Sequence, residues 1–285
     1  MDAIRAALAD ISARLSNIEA AQHGARAVYV GNGRILTKSD LFGLLYYVEA
    51  DDRLIVPKFV MDGIFEADVT HFLRRNVAPD SVCVDIGANF GYYTCIMARL
   101  AHQGRTTGVE ADPKVFEFAR DNVFINWLES RATVKNFAAA DREGELELYR
   151  RVGRSGNTGI LRLTAERLAQ LGEPPQEPFT VRCSTLDHEF PGRVDFLKID
   201  VEGAEPLVFR GASQLVANNP GIRIVMEWSP DQLKHGGFDI GEFVQELSAM
   251  SLQPAILDYE GVPVKSSWAE LKDKPYCNTV LTRRS

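Results

Sequence analysis

The feature that most restricts the fold of this chain is an apolar strand that ends in an acid, turns through glycines and enters a helix. It begins at Ser81 and ends at Thr94. Asp85 lies near the end of the strand, and Gly87 and Gly91 lie in the turn. Open α/β folds bind their ligands at the carboxyl ends of parallel strands, and glycine lets a backbone approach a ligand closely. We therefore expect a ligand at this turn.

From about residue 63 the chain alternates apolar strands with amphipathic helices. The predicted strands are 81–86, 105–110, 132–137, 194–200, 221–227, 252–258 and 277–283, and the predicted helices are 66–76, 91–102, 113–126, 204–217 and 239–250. This alternation predicts an α/β fold with a doubly wound, mostly parallel sheet of seven strands. Residues 144–151 alternate polar and apolar side chains and predict an added antiparallel strand. Residues 152–178, rich in Gly, Arg and Pro with one short helix, predict a flap.

The N-terminal region carries a different pattern. Over residues 1–24, apolar residues alternate at spacings of four and three, which is the seam of a short coiled coil: Ile4, Leu8, Ile11, Leu15 and Ile18. Leucine at the a positions and isoleucine at the d positions favour trimers or tetramers over parallel dimers. We therefore expect a homo-oligomer, with packing of this helix on its own domain as the alternative.

Three regions follow from these patterns. Residues 1–24 are predicted to be a coiled-coil oligomerisation helix, 25–62 a small β and covering region, and 63–285 the ligand-binding domain. Within the second region, residues 26–37 predict a hairpin about Gly31-Asn32-Gly33, a composition that suits the positive φ of a tight turn.

Charge and composition exclude several classes of protein. The net charge of -7 argues against broad binding to nucleic acid, which requires a clustered basic surface. No apolar run approaches the roughly 20 residues that span a bilayer, and the N-terminus lacks the basic-then-apolar order of a signal peptide. We therefore expect a cytoplasmic protein with no membrane span. The four cysteines are scattered without a C-x-x-C pair, as reduced core thiols are.

The glycine turn does not fit a dinucleotide. A G-x-G-x-x-G fingerprint that starts at Gly87 requires glycine at positions 89 and 92, where the chain has Asn89 and Tyr92. The carboxylate of Asp85 would repel a pyrophosphate and attract an ammonium or sulfonium group. S-adenosylmethionine carries both cations, so we predict it as the cofactor, with a nicotinamide-dependent oxidoreductase as the alternative. The next strand ends at Glu110, whose carboxylate suits a ribose diol.

A third group of charged residues follows the strand predicted over 194–200. Lys198, Asp200, Glu202 and Glu205 lie within eight positions. Such charges at the end of an apolar strand are costly unless they are paired or functional. Glu205 equally suits the first turn of a helix, where an acid complements the helix dipole. We expect the reaction centre in this group.

Transfer of the methyl group of S-adenosylmethionine to a hydroxyl needs a general base that removes the hydroxyl proton. Asp200 is the first candidate, and Glu202 and Glu227 are the others. His235 is a rival because the pKa of histidine lies near neutrality. The same carboxylates also suit magnesium or calcium, but a short acidic strand end does not define the six or more ligands of these ions. We therefore predict no metal site.

Between about residues 64 and 228, the order and spacing of several motifs resemble the FkbM family of methyltransferases. These motifs are Phe65-Glu66, Val84 to Thr94, Val109 to Pro113, Ala138 to Asp141 before Gly144 to Tyr149, Leu186-Asp187, and Lys198 to Glu205. The resemblance implies a Rossmann-like, S-adenosylmethionine-dependent methyltransferase that acts on hydroxyl groups, commonly of sugars or natural products. It does not extend to the N-terminal helix.

The resemblance also implies roles in cofactor binding for individual residues. Asp85, Gly87, Asn89 and Gly91 would shape the methionine end of the cofactor site, Glu110 would bind the ribose, Ala139, Ala140 and Asp141 would lie near the adenine, Glu66 would face the cofactor or the acceptor, and Asp200 would meet the cofactor cleft.

The function we expect is methyl transfer to a hydroxyl of a sugar, glycan or natural product, with N- or carboxyl-methylation as the nearest alternative. Five arginines give the predicted flap a basic character: Arg150, Arg151, Arg154, Arg162 and Arg167. Because arginine binds phosphate and carboxylate groups bidentately, an anionic acceptor is one interpretation. A solvated loop that balances nearby glutamates is the other. A non-catalytic assembly module is a further alternative, which the intact Asp85, Glu110 and Asp200 disfavour.

Overall fold

The computed structural model describes residues 26–154, 156, 158–172 and 174–284. The predicted coiled-coil helix over 1–24 lies outside these residues. The strands are β1 Ala27–Gly31, β2 Arg34–Lys38, β3 Leu45–Glu49, β4 Val82–Ile86, β5 Arg105–Glu110, β6 Ala132–Asn136, β7 Ala138–Ala139, β8 Gly144–Arg151, β9 Gln176–Ser184, β10 Phe196–Ile199, β11 Arg223–Trp228, β12 Leu252–Leu257, β13 Pro263–Lys265 and β14 Cys277–Arg283. The helices are α1 Ile55–Asp62, α2 Ala67–Asn76, α3 Tyr92–Leu100, α4 Pro113–Ile125, α5 Ala165–Leu171, α6 Leu186–Glu189, α7 Glu205–Arg210, α8 Ser213–Asn218, α9 Pro230–His235, α10 Ile240–Ala249 and α11 Trp268–Lys272.

The described residues form a central sheet of eight strands, in the order β13-β12-β14-β11-β10-β4-β5-β6. Strands β11, β10, β4, β5 and β6 are parallel, whereas β14 is antiparallel to both of its neighbours. All seven predicted strands are present. The eighth strand, β13, corrects the predicted number. Its three residues are all exposed, so no burial pattern marked it in the sequence.

The chain changes its direction of travel across the sheet between β4 and β10. Strands β4, β5 and β6 follow one another toward one edge, whereas β10 lies on the other side of β4 and is followed by β11. At such a switch point the carboxyl ends of the two strands border an open crevice. The crevice between β4 and β10 is therefore the expected position of a ligand.

Two apolar cores cover the two faces of this sheet. The register partners Phe196 and Cys83 lie in one core, and the next pair, Leu197 and Val84, lies in the other. Successive residues alternate between the cores because side chains along a strand point to opposite faces. Burial of a large apolar side chain contributes about 1.5–3 kcal/mol relative to its exposure. These cores hold the ends of β4 and β10 in fixed positions.

The region before the central sheet packs into one of these cores. The hairpin predicted over 26–37 is present as β1 and β2, which pair antiparallel on either side of the turn. The third strand of this sheet, β3, and the helix α1 were not predicted. Tyr46 and Phe59 from this region share a core with Phe90 and Tyr92, and the rings of Tyr46 and Phe59 lie 5.4 Å apart. The covering region is thus fixed beside the turn that follows β4.

A second small sheet stands beside the central one, in the order β7-β9-β8. The antiparallel strand predicted over 144–151 is present as β8, and its partner is β9. The sequence prediction missed β9 and assigned its first residues to the flap. The described flap residues contain the one short helix that was expected, α5. None of the helices in the described part of the chain has the length and apolar content that crossing a membrane requires.

The helix predicted over 204–217 is two helices, α7 and α8, and this corrects the prediction. The break lies at Gly211, where a Cβ atom would come within 2.0 Å of the carbonyl oxygen of Ala140. The carboxylate of Asp187 accepts the backbone N–H groups of Gln214 and Leu215. This side chain satisfies donors that the start of a helix leaves free, so a second helix begins there.

Candidate active site

At the carboxyl ends of β4, β5, β10 and β11, the described residues enclose a cavity of about 320 Å³. Part of its wall is apolar: Ala111, Phe137, Ala138, Ala139, Leu146, Leu148 and Ile160. Other parts carry charged and phenolic groups: Glu66, Tyr93, Glu110, Lys198, Asp200, Glu202, Glu227 and Tyr276. A concave, largely apolar wall with a few polar groups is the usual form of a small-molecule site.

Glu110 is buried at the end of β5 and is held by two backbone donors. The N–H of Asn89 lies 2.7 Å from Oε2, and the N–H of Asp112 lies 2.8 Å from Oε1. Burial raises the pKa of this carboxyl to about 7, although these two hydrogen bonds act in the opposite direction. The side chain lines the cavity, as its predicted contact with a ribose requires.

The two glycines of the turn also allow close contacts within the protein. A Cβ atom at Gly87 would lie 1.8 Å from the carbonyl oxygen of Asp200. A Cβ atom at Gly91 would lie 3.1 Å from the Cα atom of Ala119. Gly87 and Asn89 line the cavity, and both have positive φ. The turn therefore packs closely on the end of β10 and on α4.

Four carboxyl groups gather where β10 and β11 end. Glu66, Asp200, Glu202 and Glu227 all line the cavity. Burial raises the pKa of Glu227 to about 11, and the charges of Asp200 and Glu202 add to this effect. Burial likewise raises the pKa of Glu66 and that of Glu202, each with a further contribution from Asp200.

Two tyrosines hold Glu66 in the wall. The hydroxyl of Tyr93 donates to Oε2 of Glu66 at 2.7 Å, and that of Tyr276 donates to Oε1 at 3.2 Å. Glu66 precedes α2 with a positive φ of 39°. The predicted role of Glu66 as a cavity-facing residue is consistent with this position, whereas no signal in the sequence pointed to Tyr276.

Lys198 lies between two aspartates. Its Nζ atom is 3.0 Å from Oδ2 of Asp200 and 3.9 Å from Oδ1 of Asp85. The ammonium group also lies 4.9 Å from the centre of the Tyr93 ring. Burial works against the charge of Lys198, yet Asp200, Asp85 and Glu66 together raise its pKa. Asp85 itself is fully buried and accepts a hydrogen bond from Thr94 at 2.6 Å.

The loop that carries Glu202 is fixed from two sides. The amide of Gln232 donates to Glu202 at 2.6 Å, and Oε1 of Glu205 accepts the backbone N–H groups of Val201 and Gly203. Burial raises the pKa of Glu205 to about 7. Glu205 therefore holds the loop, in addition to opening α7 as the sequence suggested.

The structure brings most, but not all, of the predicted site residues to the cavity. Glu66, Gly87, Asn89, Glu110, Ala139, Asp200, Glu202 and Glu227 border it. The wall does not include Asp85, Gly91, Ala140 or Asp141. Asp85 lies behind it, Ala140 is buried, and Asp141 is exposed beside Arg142. His235 is exposed and also lies outside the wall.

Residues of the flap close part of the cavity. Gly156, Thr158, Gly159 and Ile160 line it together with Leu54 and Ile55 of the covering region. The Thr158 hydroxyl oxygen is buried and has no hydrogen-bond partner among the described residues. A hydroxyl in this state favours a ligand that supplies the missing partner.

Arg150, at the base of the flap, is engaged with the protein itself. Arg150 binds both carboxylate oxygens of Asp112, which is fully buried, and its other nitrogen lies 3.6 Å from Glu177. The guanidinium carbon of Arg150 lies 5.3 Å from the centre of the Phe179 ring. This arginine is therefore occupied within the protein. No group of three or more His, Cys, Asp or Glu side chains suited to a metal ion occurs among the described residues.

A mostly parallel sheet with a cavity at its switch point defines an α/β protein that binds a small molecule. Comparison with known proteins specifies the class further. The Methyltransferase FkbM domain matches residues 85–253, which is more than half of the 285 residues. No curated protein is significantly similar in sequence.

Solved structures that are similar at low sequence identity include the following three. Methyltransferase FkbM from Methylobacillus flagellatus KT is 13% identical, with a TM-score of 0.44; the match covers 72% of this chain and 44% of that one, so this chain spans less than half of its length. The O-methyltransferase from Bacillus cereus in complex with SAH is 20% identical, with a TM-score of 0.44 and coverage of 75% and 79%. TYW2 from P. horikoshii in complex with MeSAdo is 12% identical, with a TM-score of 0.45 and coverage of 94% and 80%.

The chain belongs to the family of FkbM methyltransferase domains. This confirms the resemblance to that family. Family membership implies S-adenosylmethionine as the cofactor, in agreement with the prediction from the glycine turn.

Proposed function

We propose that this chain transfers the methyl group of S-adenosylmethionine to a hydroxyl group of a sugar, glycan or natural product. The observation that carries the proposal is the composition of one cavity wall. It joins an apolar surface, the buried carboxyl of Glu110 and the carboxyl group of Asp200. These three parts match the adenine, the ribose and the cationic end of the cofactor in their chemistry.

Individual residues would hold the cofactor as follows. Phe137, Ala138 and Ala139 offer an apolar surface to the adenine, and Glu110 offers carboxylate oxygens to the ribose diol. The backbone turn at Asn89 is held to Glu110, so the ribose site and the turn are fixed together. Asp200 attracts the ammonium and sulfonium charges.

The bound cofactor supplies a methyl group that its sulfonium already activates. The protein must then align the acceptor oxygen with that methyl group and accept the hydroxyl proton. A general base has to be unprotonated before the reaction. Glu227 does not meet this condition at neutral pH, because its pKa is raised to about 11. We assign the role of base to Asp200, which is paired with the ammonium of Lys198, and propose that Glu202 and Glu227 bind the acceptor.

The wall chemistry favours an uncharged acceptor group over an anionic one at the reacting end. Four carboxyl groups and one lysine face this part of the cavity, and Arg150 is already bound to Asp112. An amine or a carboxylate acceptor is the alternative. An amine would be attracted by the same carboxylates, whereas a carboxylate would be repelled.

We also propose that the protein acts in the cytoplasm as a trimer or tetramer that associates through residues 1–24. The support is the coiled-coil spacing of Ile4, Leu8, Ile11, Leu15 and Ile18. Light scattering on the full chain and on a chain that lacks these residues tests the proposal. The same number of chains per particle in both proteins would contradict it.

Methyl transfer from radiolabelled S-adenosylmethionine tests the proposed reaction. The panel consists of hydroxylated glycans and secondary alcohols, amino sugars, and carboxylic acids. Labelling of the hydroxylated compounds alone supports the proposal, provided that it is lost in Asp200→Asn and retained in a matched Asp231→Asn surface variant. Labelling of amines or carboxylates instead would contradict O-methylation, and no labelling with intact cofactor binding would direct the search to other acceptors.

A further inference from the structure

Asp85 and Lys198 form a buried pair, of which only Lys198 borders the cavity. The two residues are register partners on the neighbouring strands β4 and β10. Because register partners on adjacent strands point to the same face of a sheet, their side chains meet. Asp85 is fully buried behind the wall, whereas Lys198 is 5% exposed and lines the cavity. The pair therefore connects the interior of the sheet to the ligand space.

The side chain of Lys198 extends from this buried position toward Asp200. Its ammonium lies 3.0 Å from Oδ2 of Asp200 and 3.9 Å from Oδ1 of Asp85. The second oxygen of Asp85 is bound by Thr94 at 2.6 Å, which fixes the aspartate. The ring of Tyr93 limits the ammonium from another side, at 4.9 Å. These contacts fix the position of the ammonium group, and Asp200 is its contact at the cavity surface.

We propose that Lys198 is a positioning residue, anchored by Asp85, that holds the carboxylate of Asp200 in place at the cavity wall. The inference rests on the proposed function, because it assumes that Asp200 meets the cationic end of S-adenosylmethionine. It assigns Asp85 a role behind the wall in place of the direct cofactor contact predicted from the sequence.

The need for such a cation follows from the surroundings of Asp200. The titratable and charged groups that face it or its immediate partners are Asp85 on β4, Glu66 before α2, Tyr93 on α3, Lys198 on β10, Glu202 and Glu205 around the following loop, Glu227 on β11, Tyr276 before β14, and Arg151 on β8 beside Glu202. Most are acids. Among these groups, Lys198 is the cation whose ammonium lies within hydrogen-bond distance of Asp200, at 3.0 Å.

Binding of S-adenosylmethionine tests the proposal without any knowledge of the acceptor. We expect Lys198→Met to weaken binding by at least about tenfold, or about 1.4 kcal/mol, because the ammonium that holds the carboxylate of Asp200 is absent.

A double-mutant cycle separates positioning from structural damage. In the Asp200→Asn background, Lys198→Met should change the affinity by less than about threefold, since the carboxylate through which it acts is absent. The double variant Lys198→Met/Asp85→Asn removes the whole buried pair, so it keeps the test available if Lys198→Met alone does not fold. Lys114→Met, on the surface, controls for loss of a lysine.

Each outcome decides the proposal. An affinity of Lys198→Met within about threefold of the wild type overturns it. Persistence of the full Lys198→Met effect in the Asp200→Asn background indicates damage to the fold of the site and also overturns it. Absence of binding in the wild type is a different result, because it overturns the proposed function and this inference together.

Discussion

Gly87 and Asp200 approach each other so closely that a Cβ atom at Gly87 would lie 1.8 Å from the Asp200 carbonyl oxygen. The contact joins the turn after β4 to the end of β10, which are the two sides of the crevice. Gly87 also has a φ of 76°, which a residue with a side chain adopts at a cost. The glycine therefore sets the spacing between the turn after β4 and the carboxyl groups at the end of β10.

Gly87→Ala should lower the free energy of unfolding by roughly 2–4 kcal/mol, from overpacking together with the positive φ. Gly33→Ala is the matched control, since Gly33 has a φ of 68° and open space around its Cα atom. Its loss should be about 1 kcal/mol. Urea denaturation of both variants measures the difference, and equal losses would show that the contact with Asp200 is unimportant.

Glu205 should make the protein less stable as pH rises from about 4.5 to about 7. Burial raises the folded-state pKa to about 7 from an ordinary value of 4.5. In this window the unfolded chain loses the proton while the folded chain keeps it, so stability falls with rising pH. The loss amounts to about 3 kcal/mol. Glu205→Gln should flatten this part of the profile in denaturation experiments, and an unchanged slope would contradict the assignment.

Glu110→Gln should weaken the binding of S-adenosylmethionine by about tenfold to a hundredfold, because charged hydrogen bonds contribute about 1.5–3 kcal/mol. The amide still accepts a backbone N–H group, so the variant is expected to fold. Glu117→Gln, on the exposed face of α4, is the control. If both variants bind the cofactor equally well in a calorimeter, the ribose role of Glu110 is wrong.

Arg150→Ala should lower the free energy of unfolding by roughly 1–3 kcal/mol, because it removes the partner of a charged hydrogen bond at the buried Asp112. Arg150→Ala/Asp112→Asn should recover part of this loss. Arg74→Ala, an exposed substitution, should have little effect. A loss of affinity for an anionic acceptor without any loss of stability would instead support the interpretation of the flap arginines as an acceptor site.

Much of the fold could be predicted because buried apolar residues recur at regular spacings in the sequence. Two central strands contain such residues, which identified them as strands: Val84 and Ile86 on β4, and Leu197 and Ile199 on β10. The three exposed residues of β13 bury nothing, and no such pattern was available. The break between α7 and α8 depends on Asp187, which lies far away in the sequence.

The candidate site was predictable where a charge interrupts an apolar strand. Glu110, Asp200 and Glu227 follow this rule, and all three line the cavity. Asp85 follows it as well, yet Lys198 covers it from the neighbouring strand, a relation that depends on the sheet order. Tyr276 and Thr158 reach the cavity from loops, and their positions depend on the folded structure rather than on any local pattern.

Calorimetric titration of the full chain with S-adenosylmethionine and S-adenosylhomocysteine tests whether the cavity at the ends of β4 and β10 binds the cofactor. We expect micromolar binding of S-adenosylmethionine that is strongly reduced in the double variant Glu110→Gln/Asp200→Asn and retained in the surface variant Glu117→Gln. Absence of heat for either compound, with a protein that is folded by circular dichroism, would contradict the claim that this cavity is a methyltransferase cofactor site.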